Sequence, residues 1–272
     1  MDSKKISELE PDDLKKLIAE KKEKDFILVD VREEYEYNQS HIPGAVWIKL
    51  SDIEKKPDLV PDSEETIFYC RSGSRSMAAA KLFSESEKSR KTKKIGNLKS
   101  GIQGWNGAEL QDIPKIDVFK NANGLEALIT RAMELEKGAY NLYSKIYDDY
   151  KMLPYIDSVS MLKKAETAHA RTLFKRLGKP VEEFEEYFNS LDGDILESGI
   201  STDEALKEIE KIEQGNLCIN LLEFLLLMEV SAYDLYKVMA EKEKDNEKTF
   251  LTIAQEEKNH MRTIASSFLL CV

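Results

Sequence analysis

The nonapeptide LEKGAYNLY at residues 135–143 has a near copy, MEVSAYDLY, at residues 228–236. One glutamate and two tyrosines hold the same places in both copies. A second pair of related stretches follows about one helix length later, ETAHARTL at residues 166–173 and EKNHMRTI at residues 257–264. Two of the three histidines in the chain, His169 and His260, therefore occupy equivalent positions in an internal duplication.

The spacing of the duplicated residues predicts a metal site. Each Glu-x-x-His presents a carboxylate and an imidazole side by side, because positions three apart share a helix face. A four-helix bundle that joins two such motifs to one glutamate from each of two other helices holds two metal ions. The predicted ligands are Glu136, Glu166, His169, Glu229, Glu257 and His260. A single motif of this kind is usually a solvated surface pair, and the matched duplication is what favours metal binding.

Residues 124–272 resemble the ferritin-like superfamily and, within it, the rubrerythrin and erythrin-type domains. The resemblance implies an all-α four-helix bundle with two iron ions that reduce peroxide or oxygen, and manganese or zinc are alternative metals. Tyr143 and Tyr236, seven residues after a predicted ligand, are expected beside the ligands, whereas Tyr140 and Tyr233 are expected in the core. The chain departs from the rubrerythrin pattern at Ala232, where a further carboxylate is common, and it has no Cys-x-x-Cys pairs.

The first half of the chain has a different pattern. Short apolar runs at residues 26–31, 45–48 and 66–69 are typical of buried parallel strands and alternate with helical stretches. A helix is expected to start near Pro11, with residues 7–10 as its approach. The alternation predicts an α/β domain with a parallel sheet flanked by helices.

The candidate chemistry of this half lies in the loop that follows the third apolar run. Cys70 enters a Gly/Ser loop that leads directly into a helix, and the backbone N–H groups of such a loop favour an anion. A cysteine there is expected to have a lowered pKa. The predicted catalytic residues are Cys70, Arg71 and Arg75, and the predicted substrate-binding loop contains Ser72, Gly73, Ser74 and Ser76. The alternative is a buried core cysteine in a polar turn.

This half resembles the single-domain rhodanese family in the motifs DVRE (residues 30–33), HIPGA (41–45) and GIQGW (101–105), which fall in order across residues 5–115. The resemblance implies a sulfurtransferase in which Cys70 takes sulfur from thiosulfate or a low-molecular-weight persulfide and passes it to a thiol acceptor. Asp30, Arg32 and His41 are expected to be structural. Tyrosine phosphatases place arginine six residues after the nucleophile, but here Arg75 is five residues after Cys70, which favours sulfur over phosphate.

The predicted organisation is a rhodanese-like domain at residues 1–117, a linker at 118–123 and a ferritin-like domain at 124–272, with a break at Asp112-Ile113-Pro114. A net charge of −11 without a basic patch argues against a nucleic-acid partner. No apolar run reaches the length of a membrane span, and the first residues contain no apolar signal region. Three cysteines that look unpaired favour the cytoplasm. A homodimer through the helical bundle is a further expectation.

Two hypotheses of function remain open. In the first, the chain is an enzyme that carries sulfane sulfur as a persulfide on Cys70 and reduces peroxide or oxygen at a di-iron centre. In the second, the helical half binds iron or mediates dimerisation without turnover, and the protein is a sensor or scaffold with sulfurtransferase activity. Metal content together with peroxide consumption separates the two hypotheses.

Overall fold

The computed structural model describes residues 4–111, 115–212 and 216–271. The chain divides into two compact units: the first contains residues up to 113 together with residues 236–255, and the second contains residues 114–235 and 256–272. The predicted domain ranges stay a prediction. The predicted break at Asp112-Ile113-Pro114 lies outside the described residues.

The first unit alternates strands with helices. Its described strands are β1 (Ile6–Leu9), β2 (Phe26–Asp30), β3 (Val46–Trp47), β4 (Glu65–Tyr69) and β5 (Lys94–Leu98). Its short helices are α1 (Pro11–Glu20), α2 (Glu34–Gln39), α3 (Leu50–Lys55) and α4 (Ser74–Glu85). The strands form one sheet in the order β1-β5-β4-β2-β3, in which all neighbours are parallel. The predicted α/β fold with a parallel sheet is confirmed.

Two strands of this sheet were not expected. Residues 6–9 form β1 rather than the approach to a helix, because Ile6 pairs opposite Ile95 on β5. The strand β5 contains Gly96 and the buried Asn97, which interrupt its apolar pattern. Neither strand has a continuous apolar run of its own, and both form through pairing: β1 is the edge strand beside β5, and β5 pairs with β1 on one side and β4 on the other.

The sheet is covered on both faces, and successive residues of a strand point to opposite faces. Along β2, Phe26 and Leu28 pack into one apolar cluster with α1. The intervening Ile27 and Val29 pack into a second cluster, together with residues of α3 and α4. Cys70, which follows β4, belongs to this second cluster.

The second unit is helical. The helices that contribute to it are α5 (Leu125–Asp149), α6 (Ile156–Phe174), α7 (Phe184–Ser190), α8 (Thr202–Ile212), α9 (Leu217–Lys242) and α10 (Glu247–Ser267). A single 3₁₀ turn after α6 ends at Gly178, whose φ of 67° is left-handed. At the start of α8 the Glu204 N–H donates to the Ser201 hydroxyl at 3.2 Å, and the Ser201 N–H donates to the Glu204 carboxylate at 2.8 Å. These two hydrogen bonds form a capping box.

The ends of α9 and α10 that belong to the first unit are held there by polar contacts. Lys237 forms a buried ion pair with Glu23 at 2.9 Å. The Glu23 N–H donates to the side-chain oxygen of Gln255 at 3.2 Å. Residues 236–255 thus share interactions with the loop between α1 and β2.

The expectation of three unpaired cysteines is wrong. Cys218 and Cys271 form a disulfide across a sequence separation of 53 residues, with a Cα–Cα distance of 5.7 Å. Both cysteines also pack against the core of the second unit, because the start of α9 lies beside the end of the chain. Cys70 is the free cysteine among the described residues. The cytoplasmic location stays a prediction, and it no longer has the support of unpaired cysteines.

Within residues 4–111, 115–212 and 216–271, none of the helices is both long enough and apolar enough to cross a lipid bilayer.

Candidate functional site

Cys70 lies directly after β4, and only 1% of its surface is exposed. Its Sγ accepts hydrogen bonds from the Gly73 backbone N–H at 3.1 Å and from the Ser76 hydroxyl at 3.4 Å. The helix α4 begins at Ser74, so the sulfur lies against a helix N-terminus. The N–H groups of a helix N-terminus carry partial positive charge and favour a bound or covalent anion.

Two opposing effects act on the pKa of Cys70. Burial raises the pKa and is the largest single effect, whereas the Ser76 hydroxyl and the backbone N–H groups of Ser76, Ser72 and Gly73 lower it. The donors together outweigh burial, and the pKa lies below the ordinary value of a thiol. Because the thiolate is the nucleophilic form of cysteine, the lowered pKa increases the fraction of Cys70 that is present as thiolate at a given pH.

Two glycines allow the loop to close around the sulfur. Gly73 has a φ of 94°, and a Cβ there would lie 1.9 Å from the Lys99 carbonyl oxygen. Gly101 has a φ of 58°, and a Cβ there would lie 2.4 Å from the Cys70 carbonyl oxygen. The Ile102 N–H donates to that same oxygen at 2.8 Å. The glycines of the loop and of the GIQGW motif are therefore required by close backbone approach.

The two arginines of the loop have different surroundings. Arg75 donates two hydrogen bonds to the carboxylate of Glu36, at 2.7 and 2.8 Å. This pairing raises the pKa of Arg75 and lowers the pKa of Glu36. Arg71 is exposed, as are Ser72 and Ser74. Catalytic roles for Arg71 and Arg75, and substrate binding by the loop serines, stay predictions.

Three polar residues expected to be structural are buried in the first unit. Arg32 and Asp30 form an ion pair at 2.6 Å, and Arg32 also donates to the Ser40 carbonyl oxygen at 2.7 Å. His41 is completely buried, its Nδ1 lies 3.2 Å from the Tyr37 carbonyl oxygen, and its ring stacks on Tyr37 at 4.1 Å. These contacts connect the segment after β2 with the segment before β3.

The second unit brings the six predicted metal ligands into one cluster. Each side chain is buried, with exposed fractions between 0% for Glu136 and 9% for His260. The ligand atoms form two overlapping sets of four residues and a third set of His169, Glu257 and His260, and within each set they lie within 4.8 Å of one another. One four-residue set is Glu136, Glu166, His169 and Glu257, and the other is Glu166, Glu229, Glu257 and His260. Glu166 and Glu257 belong to both sets, as bridging carboxylates between two cations would.

Both histidines turn the same nitrogen toward the carboxylates. His169 Nδ1 lies 3.1 Å from Glu136 and 3.0 Å from Glu257. His260 Nδ1 lies 3.0 Å from Glu229 and 3.0 Å from Glu257. The two imidazole rings are stacked, with centroids 5.1 Å apart. The internal duplication of the sequence therefore reappears as a pseudosymmetric arrangement of donors.

The electrostatics of the cluster fit a pair of divalent cations. Burial and the neighbouring Glu257 raise the pKa of Glu166 well above its ordinary value, and burial raises the pKa of Glu229 to about 7. Burial opposes protonation of His260, but Glu229 and Glu257 outweigh it and raise its pKa to about 11. Buried carboxylates are costly unless a cation compensates them. Four carboxylates balance two divalent ions, and the oxygen-rich donors with two imidazoles suit iron or manganese.

The four tyrosines of the duplicated stretches have different surroundings. The Tyr143 hydroxyl donates a hydrogen bond to Glu229. Tyr236, the other tyrosine expected there, is fully buried and its ring stacks on Phe250 at 6.0 Å. Tyr233 is buried, whereas Tyr140 is only partly buried and packs edge-on against Phe188. The predicted role of Tyr236 beside the metal site stays a prediction.

Sequence reasoning missed one acidic residue beside this cluster. Glu256 lies 2.9 Å from His169 Nε2, opposite the nitrogen that faces the carboxylates. A carboxylate on the second imidazole nitrogen fixes the tautomer and the ring orientation of a metal-ligating histidine. The position of Glu256 directly before Glu257 was the available signal.

Comparison with known proteins identifies the first unit. A model of the rhodanese-like domain matches residues 10–108. YtwF of Bacillus subtilis is 35% identical over 85 residues, which cover 31% of this chain and 78% of that protein. The chain belongs to the rhodanese-like domain family. The family match includes Cys70 and its loop, whereas the six predicted metal ligands lie outside the matched range.

Other relatives of the rhodanese-like domain have similar coverage of this chain. YrkF of Bacillus subtilis is 38% identical over 80 residues, and the chain spans 41% of its length. A sulfurtransferase of Allochromatium vinosum is 29% identical over 100 residues, which cover 37% of this chain and 88% of that protein. A rhodanese-like domain protein from Staphylococcus aureus, known from a crystal structure, is 23% identical in sequence. The match covers 37% of this chain and 92% of the Staphylococcus aureus chain, with a TM-score of 0.32.

Proposed function

We propose that the rhodanese-like domain is a sulfurtransferase and that Cys70 is its sulfur-accepting residue. The observation that carries this proposal is the Cys70 sulfur at a helix N-terminus, with two donors aimed at it and a lowered pKa. The donors that stabilise a thiolate also suit the terminal sulfur of a persulfide, which is an anion. The relative from Allochromatium vinosum carries the name sulfurtransferase.

The proposed reaction has two steps. The Cys70 thiolate attacks the outer sulfur of thiosulfate, an S–S bond forms to Cys70, and the S–S bond of thiosulfate breaks with its electron pair leaving on sulfite. A thiolate acceptor or cyanide then attacks the outer sulfur of the Cys70 persulfide and releases the Cys70 thiolate. With a low-molecular-weight persulfide as donor, the leaving group is its thiolate. No net oxidation of the protein occurs.

A substitution at Cys70 tests this proposal. Cys70→Ser removes the sulfur nucleophile, and we expect the transfer of sulfur from thiosulfate to cyanide to fall to the background rate. Lys81→Ala, an exposed change on α4, is the control for the fold and is expected to retain full activity. Mass spectrometry of the wild-type protein after thiosulfate treatment should show one added sulfur on Cys70. Undiminished transfer by Cys70→Ser would refute the proposal.

We further propose that the second unit is a ferritin-like bundle whose six buried side chains hold two iron ions. The support is the two overlapping four-residue sets that share Glu166 and Glu257. Two bound ferrous ions would supply two electrons, the number that the reduction of one peroxide to water or of one dioxygen to peroxide requires. The protein holds the pair away from bulk solvent, while Tyr143 orients Glu229 and Glu256 orients His169.

Metal analysis of anaerobically purified protein tests this second proposal. We expect two iron ions per chain, and we expect Glu166→Ala and Glu257→Ala to lose both, since each residue belongs to both sets. Glu186→Ala, an exposed change on α7, should keep both ions. A wild-type protein that binds no iron or manganese would contradict the proposal.

A non-catalytic bundle is the competing function. Iron-loaded protein that consumes peroxide favours an oxidoreductase, whereas bound iron without peroxide loss favours a sensor or scaffold attached to a sulfurtransferase. Analytical ultracentrifugation tests the homodimer that was expected through the bundle. The sulfurtransferase and metal proposals concern different units, so failure of one leaves the other intact.

A further inference from the structure

The internal duplication is broken at one position beside the metal cluster. Glu256 comes directly before the predicted ligand Glu257 on α10, whereas Ala165 comes directly before the equivalent ligand, Glu166, on α6. One half of the duplication therefore carries a carboxyl group that the other half lacks.

Two successive carboxylates of α10 enclose the imidazole of His169. Glu257 lies 3.0 Å from His169 Nδ1, and Glu256 lies 2.9 Å from Nε2, on the other side of the ring. In a neutral imidazole one nitrogen carries the proton and the other accepts. A proton held on Nε2 by Glu256 leaves the lone pair on Nδ1, the nitrogen that faces the other carboxylates, for a metal ion.

His260 has no such outer carboxylate in the part of the chain that the structure describes. Its contacts with Glu166, Glu229 and Glu257 all involve Nδ1. The residue of α6 that corresponds to Glu256 is Ala165, whose methyl side chain cannot accept a hydrogen bond. His260 is also more exposed than His169, 9% against 1%. The two histidines thus differ in what holds the second ring nitrogen.

An outer carboxylate changes how strongly a histidine binds a metal ion. It fixes the tautomer and the orientation of the ring, and it makes the ligating nitrogen more basic. The donors of the two four-residue sets otherwise match, since each set contains one imidazole, one glutamate of its own and the two shared carboxylates. We propose that the two cations are bound unequally, that the tighter site is the set with His169, and that Glu256 is the positioning residue that causes the difference.

Binding of Mn²⁺ to the full chain tests this inference without an activity assay. The protein is stripped of metal, and free Mn²⁺ is counted by electron paramagnetic resonance as the ion is added. Loss of the outer partner of a metal-binding histidine weakens metal binding by about 10- to 100-fold. We therefore expect the wild type to bind two ions whose dissociation constants differ by about tenfold or more.

Three variants and a control assign the difference to the outer carboxylate. Glu256→Ala should weaken the tighter ion by about tenfold or more and leave the weaker ion nearly unchanged. Glu256→Gln keeps an oxygen that accepts from Nε2, so the affinity for the tighter ion should be intermediate. Ala165→Glu places a carboxyl group at the equivalent position of α6 and should tighten the weaker ion. Glu186→Ala, an exposed change on α7, should match the wild type.

This inference rests on the proposed pair of metal ions, and the outcomes separate the two. A wild type that binds no Mn²⁺ overturns both. Two ions of equal affinity, or a tighter ion that Glu256→Ala leaves unchanged, overturn the role of Glu256 and leave the metal pair intact. If Glu256→Ala does not fold, a crystal structure of the wild type with one equivalent of Mn²⁺ decides. Higher occupancy in the set with His169 supports the inference, and equal or reversed occupancy overturns it.

Discussion

At the scale of single residues, the reactivity of Cys70 depends on the donors at the N-terminus of α4. Burial alone would raise the pKa of a thiol and leave it inert. The Ser76 hydroxyl is the largest of the effects that lower the pKa of Cys70. Ser76 is itself completely buried, and its hydroxyl lies 3.1 Å from the Gly73 carbonyl oxygen, to which it also donates. The loop backbone therefore holds the Ser76 side chain in position beside the sulfur.

Removal of this hydroxyl is expected to shift the pH dependence of sulfur transfer. Ser76→Ala raises the pKa of Cys70, because a donor to the thiolate is lost, and the rising limb of the rate against pH moves to higher pH. A hydrogen bond to a charged group contributes about 1.5 kcal/mol, so the rate at neutral pH should fall about tenfold.

The pH profile of persulfide formation from thiosulfate measures the effect of Ser76→Ala. Ser84→Ala, a hydroxyl removal at the other end of α4 where the side chain donates to the Lys81 carbonyl oxygen, is the control. A rate reduced equally at every pH would indicate a loss of substrate binding instead of a change in thiolate fraction.

At the scale of elements, Gly138 in the middle of α5 shows how a helix is adapted to its neighbour. Glycine in a helix interior is less favourable than alanine by about 1 kcal/mol. Here the absence of a side chain allows the Ile195 carbonyl oxygen to approach, since a Cβ would lie 2.1 Å from it. Gly138 therefore lowers the helix propensity of α5 but allows the connection between α7 and α8 to pack against the helix.

Gly138→Ala is therefore expected to destabilise the protein despite the better helix propensity of alanine. Overpacking against a backbone atom costs about 1–3 kcal/mol, and after the propensity gain of about 1 kcal/mol is subtracted the free energy of unfolding should fall by up to about 2 kcal/mol. Urea denaturation measures the change. Thr172→Ala on α6 removes a hydroxyl that donates to the Ala168 carbonyl oxygen of the same helix, and it is expected to be neutral or slightly stabilising. A stabilised Gly138→Ala variant would contradict the close approach of the Ile195 carbonyl oxygen to α5.

At the scale of the whole molecule, the Cys218–Cys271 disulfide links the start of α9 to the end of the chain across 53 residues. Such a crosslink removes conformational freedom from the unfolded chain, and a loop of this length corresponds to a stabilisation of about 2–4 kcal/mol. All of α10 lies inside the closed loop. The disulfide thus restrains both helices of the second half of the duplication.

The double variant Cys218→Ser, Cys271→Ser should have a lower free energy of unfolding by about 2–4 kcal/mol. Chemical denaturation measures this change, and the wild type in the presence of a reductant should behave like the double variant. Reductant should leave the stability of the double variant unchanged. A wild type that titrates as three free thiols after unfolding without reductant would contradict the disulfide.

Local periodicity explains which features were predictable. The Glu-x-x-His spacing and the strand that precedes Cys70 follow from relations between residues a few positions apart, and these relations depend on one element alone. The family of the first unit was predictable for the same reason, since its motifs are short and occur in order.

Long-range contacts were decided only by the tertiary structure. The pairing of Arg75 with Glu36 spans 39 residues, the disulfide spans 53 residues, and β1 exists because it pairs with β5, more than 80 residues away. The close approach of the Ile195 carbonyl oxygen to Gly138 likewise joins residues 57 positions apart. Sequence alone determined which residues can share a helix face or follow a strand. The folded chain decided which distant residues meet, because those contacts arise from packing between elements and leave no local pattern.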